Sequence, residues 1–143
     1  MAAQLKLTAL IACIAGMLLV IVVVPALAHH AFSAEFDASS PIEIRGTVTK
    51  MEWINPHSWI TVSVQDSDGE VVTWEIEAGA PNAMFRRGFN RDSLPVGTEV
   101  LINGYRAKDG GMRANGRDIT LPNGQRLFVG ESGTGAPEDG RDP

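Results

Sequence analysis

Ile60, Val62 and Val64 alternate with Thr61 and Ser63, and Val72, Trp74 and Ile76 repeat that alternation after Asp66-Ser67-Asp68-Gly69. Successive side chains of a β-strand point to opposite faces, so two period-2 runs around a turn-forming tetrapeptide predict a hairpin with one buried face. The same reasoning extends in both directions. Ile42, Ile44 and Val48 share one phase while Met51 and Trp53 fall on the other, which predicts a long, bent first strand with a bulge near Thr49-Lys50, ended by Asn55-Pro56-His57. Residues 81–87 form the one stretch of this region suited to a helix, with Pro81 in the first turn, Met84 and Phe85 as apolar contacts and Gly88 as a stop. Val100 and Ile102 mark a fourth strand, residues 112–121 a fifth after Asp109-Gly110-Gly111, and Asn123-Gly124 a tight turn into a short strand over residues 126–129.

Three strands, a short helix and further strands is the order of an OB-type barrel. The expected fold class is therefore all-β with a small α component: an OB-like five- to six-stranded barrel with one short helix between strands 3 and 4. An open sandwich of the same strands is the alternative.

The segment before this region has a different character. Lys6, an apolar run over residues 7–24, and Ala26-Leu27-Ala28 after Pro25 have the three parts of a signal peptide. Cleavage after Ala28 is expected, with export to the periplasm or the medium. Retention as a membrane anchor is the alternative, because the run approaches spanning length. Leu10-Ile11-Ala12-Cys13 resembles a lipoprotein box, but too little apolar sequence precedes it. The expected organisation is a signal peptide over 1–28, an extended arm over 29–40 with Phe32 and Phe36 as anchors, a barrel over 41–130, and a disordered Gly-, Pro- and acid-rich tail over 131–143.

Composition narrows the function classes. Cys13, the single cysteine, lies in the leader, so the processed domain has neither a disulfide nor a thiolate metal site. Lys6 is the only charge before residue 29, which leaves 11 basic and 17 acidic residues and a formal charge of −6 in the processed chain. That balance argues against a nucleic-acid partner, which needs a basic face.

The chain has three histidines, His29, His30 and His57. Cleavage after Ala28 makes His29 the first residue, and its α-amine and imidazole then form a chelating pair in the manner of a histidine brace, with His57 as third ligand. Copper(II) suits such nitrogen donors. His30 offers a competing planar mode built from the terminal amine, the next backbone amide and its own imidazole. The plain alternative is a flexible arm carrying two histidines and a polar loop carrying the third.

Asn55-Pro56-His57-Ser58-Trp59 falls where the first strand hands over to the second, so Asn55 and Trp59 are candidate ligand-binding residues. Trp74 shares the core phase of Val72 and Ile76. Glu75 and Glu77 are expected to be solvated on one outer strand face rather than to form a catalytic pair, and Arg86, Arg87 and Arg91 to form a solvated helix end, with an anion site as the alternative. Asp66-Ser67-Asp68-Gly69 lacks the later ligands of a calcium loop, and Gly130-Glu131-Ser132-Gly133 lacks the last glycine of a nucleophile elbow. No acid, base and nucleophile set defines an enzyme.

With His29-His30-Ala31-Phe32, Asn55-Pro56-His57, Gly79-Ala80-Pro81-Asn82 and Arg106-Ala107-Lys108-Asp109-Gly110 in this order behind a leader, the chain resembles a family of small exported bacterial proteins known only as a domain of unknown function. The resemblance implies an extracytoplasmic protein and carries no activity over. The chain is also loosely similar to small periplasmic copper carriers with OB-type barrels, but it lacks their His and Met cluster with a neighbouring Trp.

The leading expectation is a non-enzymatic periplasmic binding protein that holds copper through His29 and His57, with His30 as competitor. The runner-up is a metal-free interaction module presenting the Asn55–Trp59 loop to a protein or small ligand. A copper-dependent redox enzyme comes third.

Overall fold

The computed structural model describes residues 32–130. The expected signal peptide, His29, His30 and the tail from residue 131 lie outside the described residues. Six strands follow one another as β1 (Phe36–Glu52), β2 (Ser58–Gln65), β3 (Val71–Ala78), β4 (Glu99–Ala107), β5 (Arg113–Thr120) and β6 (Arg126–Phe128), with helix α1 (Pro81–Arg86) between β3 and β4.

The sheet runs β3-β2-β1-β4-β5-β6, and a further β3–β5 pairing closes it into a ring. All pairs are antiparallel except β3–β5, where Glu75, Ile76 and Glu77 run parallel to Arg113, Ala114 and Asn115. This is the barrel-like, mostly β architecture that the strand pattern predicts. β1 serves both halves: residues 47–52 pair with β2, and residues 36–47 pair with β4. The register of β1 against β2 shifts between Val48 and Lys50, so Thr49 is the extra residue of the expected bulge. The shift puts Ile44 and Val48 on one side of it and Met51 on the other all against the same core.

That core is built from inward residues of every long strand, with Val48, Ile60, Val62, Ile76, Ala114 and Ile119 fully buried. In the β2–β3 register Ile60 lies opposite Ile76, Val62 opposite Trp74 and Val64 opposite Val72, as the alternation requires. Met84 of α1 and Leu94 of the following loop close one side. Burying such side chains contributes roughly 1.5–3 kcal/mol each. Trp74 keeps the core phase but is half-buried, with the Arg106 guanidinium 5.6 Å from its ring centroid. Helix α1 begins with Pro at its first turn, and Gly88 at φ 85° ends it, a conformation that glycine adopts without a Cβ clash.

The amino-terminal arm departs from expectation. Residues 32–35 are helical rather than extended, and β1 begins at Phe36 rather than Pro41. Phe36 pairs with Ala107 and Pro41 with Tyr105, so residues 37–40 bulge out of the ladder. The cause is tertiary. Phe32 and Phe36 are 3% and 2% exposed and form, with Tyr105 and Ala107, a small apolar cluster separate from the main core.

A candidate site at the His57 loop

Ile60, Ile76 and Ala114 point into the core, so their neighbours along each strand point away from it. The registers then align three of those neighbours and Tyr105 of β4 in a row across the outer face: Trp59 opposite Glu77, Glu77 opposite Asn115, and Asn115 opposite Tyr105. The row is covered rather than solvated. Glu77 is 6% exposed, Asn115 7% and Tyr105 7%.

Glu77 corrects the expectation that it is solvated beside Glu75. Glu75 is exposed, but Glu77 is buried and its Oε1 is in contact with Nδ1 of His57. Period 2 assigns both residues the same outward face; that the Asn55–His57 loop folds back over one of them is a tertiary effect outside the strand's own pattern. Ser58 helps hold the loop there, its backbone N–H donating to the Gly79 carbonyl at 3.1 Å. The Asn55–Pro56 peptide is cis.

The two other loop candidates are placed differently. Trp59 is half-buried in the row beside Glu77, while Asn55 and Pro56 are exposed at the loop tip next to Ile54, itself 51% exposed. Trp53, just before them, stacks on Phe85 of α1 with centroids 4.9 Å apart. Among the described residues, no group of three or more His, Cys, Asp and Glu side chains is placed to hold a metal ion. His57 and Glu77 make a pair of such side chains, and His29 and His30 lie beyond the described span.

A second polar cluster joins β4, β5 and β6. Asp118, 2% exposed, accepts Nε and Nη2 of Arg126 at 2.9 and 2.8 Å and Nδ2 of Asn103 at 3.0 Å. Burial pushes the Asp118 carboxyl up, but the hydrogen bonds from Arg126 and Asn103 and the charges of Arg126 and Arg117 outweigh it, leaving its pKa below the ordinary value. These residues border a cavity of about 190 Å³ together with Tyr105 and Arg117. The β4–β5 register shifts here, pairing Asn103 with Asp118 but Gly104 with Gly116, so Arg117 is an extra residue. Gly104 and Gly116, isolated glycines inside the two strands, are the sequence signal that marks such a shift. The three arginines near α1 are all exposed, as expected of a solvated helix end, and Arg87 in addition lies 4.5 Å over the Phe128 ring and donates to the Gly130 carbonyl.

The model of a family of unknown function (DUF6152) matches residues 16–116. No curated protein and no solved structure matches the chain significantly. The family match covers more than half of the chain and takes in His57, Glu77 and Asn115, and the chain belongs to this family of unknown function.

Proposed function

We propose that this protein is an exported binding protein which, once residues 1–28 are removed, takes copper(II) between its new amino terminus and the His57 loop. The ligands are the α-amine and imidazole of His29 and Nε2 of His57. The contact between His57 and Glu77 carries this reading. A ligating histidine characteristically gives its other ring nitrogen to a carboxylate, which sets the tautomer, orients the ring and raises its basicity. With Nδ1 on a buried carboxylate, Nε2 is the nitrogen that serves the metal. Nitrogen donors of this kind favour copper(II) among the common divalent ions.

His30 competes through the planar amine, amide and imidazole mode. The test is a copper(II) titration of protein beginning at His29, with affinity read by chelator competition and ligation by spin resonance. One residue added before His29, and His57→Ala, should each weaken binding clearly. Unchanged affinity in both proteins would overturn the reading.

The exposed tip formed by Ile54, Asn55 and Pro56, beside the Trp53–Phe85 stack, favours a second reading in which the same loop docks a partner protein without metal. Loss of partner capture on Ile54→Ser, with copper binding absent, would select it.

A further inference from the structure

The polar cluster around Asp118 lies where the regular ladder is broken twice. The β4–β5 register shifts between Asn103 and Gly104, with Arg117 as the extra residue, and residues 37–40 of β1 leave the β4 ladder just before Pro41. Bulges bend their strands and re-aim side chains, so two of them on neighbouring strand pairs leave the outer face concave. The concavity is the cavity of about 190 Å³. Pro41, Ile42 and Tyr105 line it with apolar surface, and Arg117 and Arg126 line it with cations.

Arg126 is held there in one orientation. Its Nε and Nη2 donate to the two oxygens of Asp118, and Asp118 is fixed in turn by Nδ2 of Asn103. A guanidinium carries five N–H donors in a rigid plane, and this fork uses one on Nε and one on Nη2. The second N–H of Nη2 and both of Nη1 make up another edge of the plane. Among the described residues Arg126 makes no further hydrogen bond, and its side chain is 46% exposed, so that edge is open. Two arginines against one aspartate also leave the lining with one excess positive charge, in a chain that is acidic overall. Glu43 faces Asn103 in the β1–β4 register, but it is exposed and does not line the cavity, so solvent screens its charge.

We infer that this cavity binds a small organic carboxylate. The two oxygens of the ligand accept the open edge of Arg126 side by side, the geometry in which planar guanidinium and carboxylate groups match, and its short hydrocarbon chain lies against Pro41, Ile42 and Tyr105. Size sets the chain length. At about 30 Å³ for each water-sized atom, the cavity has room for about six of them, a carboxylate and a few carbons. Inorganic oxyanions match the cation but leave the apolar wall uncovered. Asp118 touches no ligand in this scheme; it is a positioning residue that aims the guanidinium. The site shares no residue with the proposed copper ligands.

The experiment titrates isotope-labelled protein lacking residues 1–28, which keeps every described residue, with sodium butyrate at constant ionic strength, read by amide NMR. Butyrate should shift the signals of Tyr105, Asp118 and Arg126 saturably, in the millimolar range expected of so small a ligand. Butyramide has the same shape without the charge and should bind at least about tenfold more weakly, the loss of a charge-assisted hydrogen bond. Inorganic phosphate and sulfate should also bind more weakly than butyrate. Arg126→Lys keeps a cation against Asp118 but has no second planar edge, and should lower butyrate affinity about tenfold or more. Equal binding of butyramide would show an apolar pocket with no use for the carboxylate, and tighter binding of phosphate or sulfate would show a general anion site. Either result overturns the inference, as does the lack of any saturable shift at these residues or unchanged butyrate affinity in folded Arg126→Lys. The ligand comparisons use the unsubstituted protein, so they decide the matter even if Arg126→Lys fails to fold.

Discussion

His57, on the loop before β2, and Glu77, on β3, meet through Nδ1 and Oε1 across a part of the sheet surface where Glu77 is 6% exposed. The nineteen residues between them build the β2–β3 hairpin, which brings the loop back over the strand. A carboxylate buried at that depth has to be matched, and the imidazole is what matches it.

Glu77→Gln keeps the shape of the side chain and removes its charge. It should weaken copper(II) binding by about 10–100-fold, the usual effect of losing a carboxylate behind a ligating histidine. Competition titration measures this directly. Wild-type affinity in the variant would mean that Glu77 holds the loop and nothing more.

Asp118 governs acid stability. Its pKa is lowered in the folded protein, so the stabilisation it contributes is present above the ordinary aspartate value and is lost as pH falls through that value toward the folded one. Asp118→Asn should cost about 1.5–3 kcal/mol near neutral pH, the range for hydrogen bonds to a charged group. Denaturant titrations of both proteins at several pH values should show their stabilities converging below about pH 4. A constant difference down to pH 2 would contradict this assignment.

Gly104 is required by close approach of strands. At the β4–β5 register shift it faces Gly116, and a Cβ at Gly104 would run into the Asn115 carbonyl oxygen. At Gly116 a Cβ would lie 2.7 Å from Cγ2 of Ile76. Gly104→Ala should destabilise by about 3 kcal/mol or more, at the upper end for overpacking, because backbone has to move. Gly124→Ala, in an open turn at φ 83°, should cost only the smaller backbone strain, about 1–2 kcal/mol. Thermal unfolding that ranks the two in the opposite order would place the strain elsewhere.

Processing is tested by mass. Protein recovered from the extracytoplasmic fraction should lack residues 1–28 and begin at His29, as Ala26-Leu27-Ala28 after Pro25 leads one to expect. An intact mass that retains the leader would remove the α-amine from the proposed copper ligands and leave only the loop histidine.

Local pattern determined much of this protein on its own. Ile60-Val62-Val64 and Val72-Trp74-Ile76 specify the hairpin because period 2 allows only one face to be buried, and the change of phase between Val48 and Met51 announces the bulge that bends β1. Pro81 and Gly88 bracket the helix because one pre-sets φ and the other tolerates a positive one. His57 stood out because histidine is rare in the chain. Tertiary structure decided what outer-face residues do. Glu77 and Glu75 are equivalent by periodicity, yet one is buried under the loop and the other exposed. Asp118 finds Arg126 across a turn, and Phe32 finds Tyr105 seventy-three positions away. Periodicity assigns a side chain to a face of its own strand; whether that face is then covered depends on chain segments distant in sequence, and only closure of the sheet brings them together.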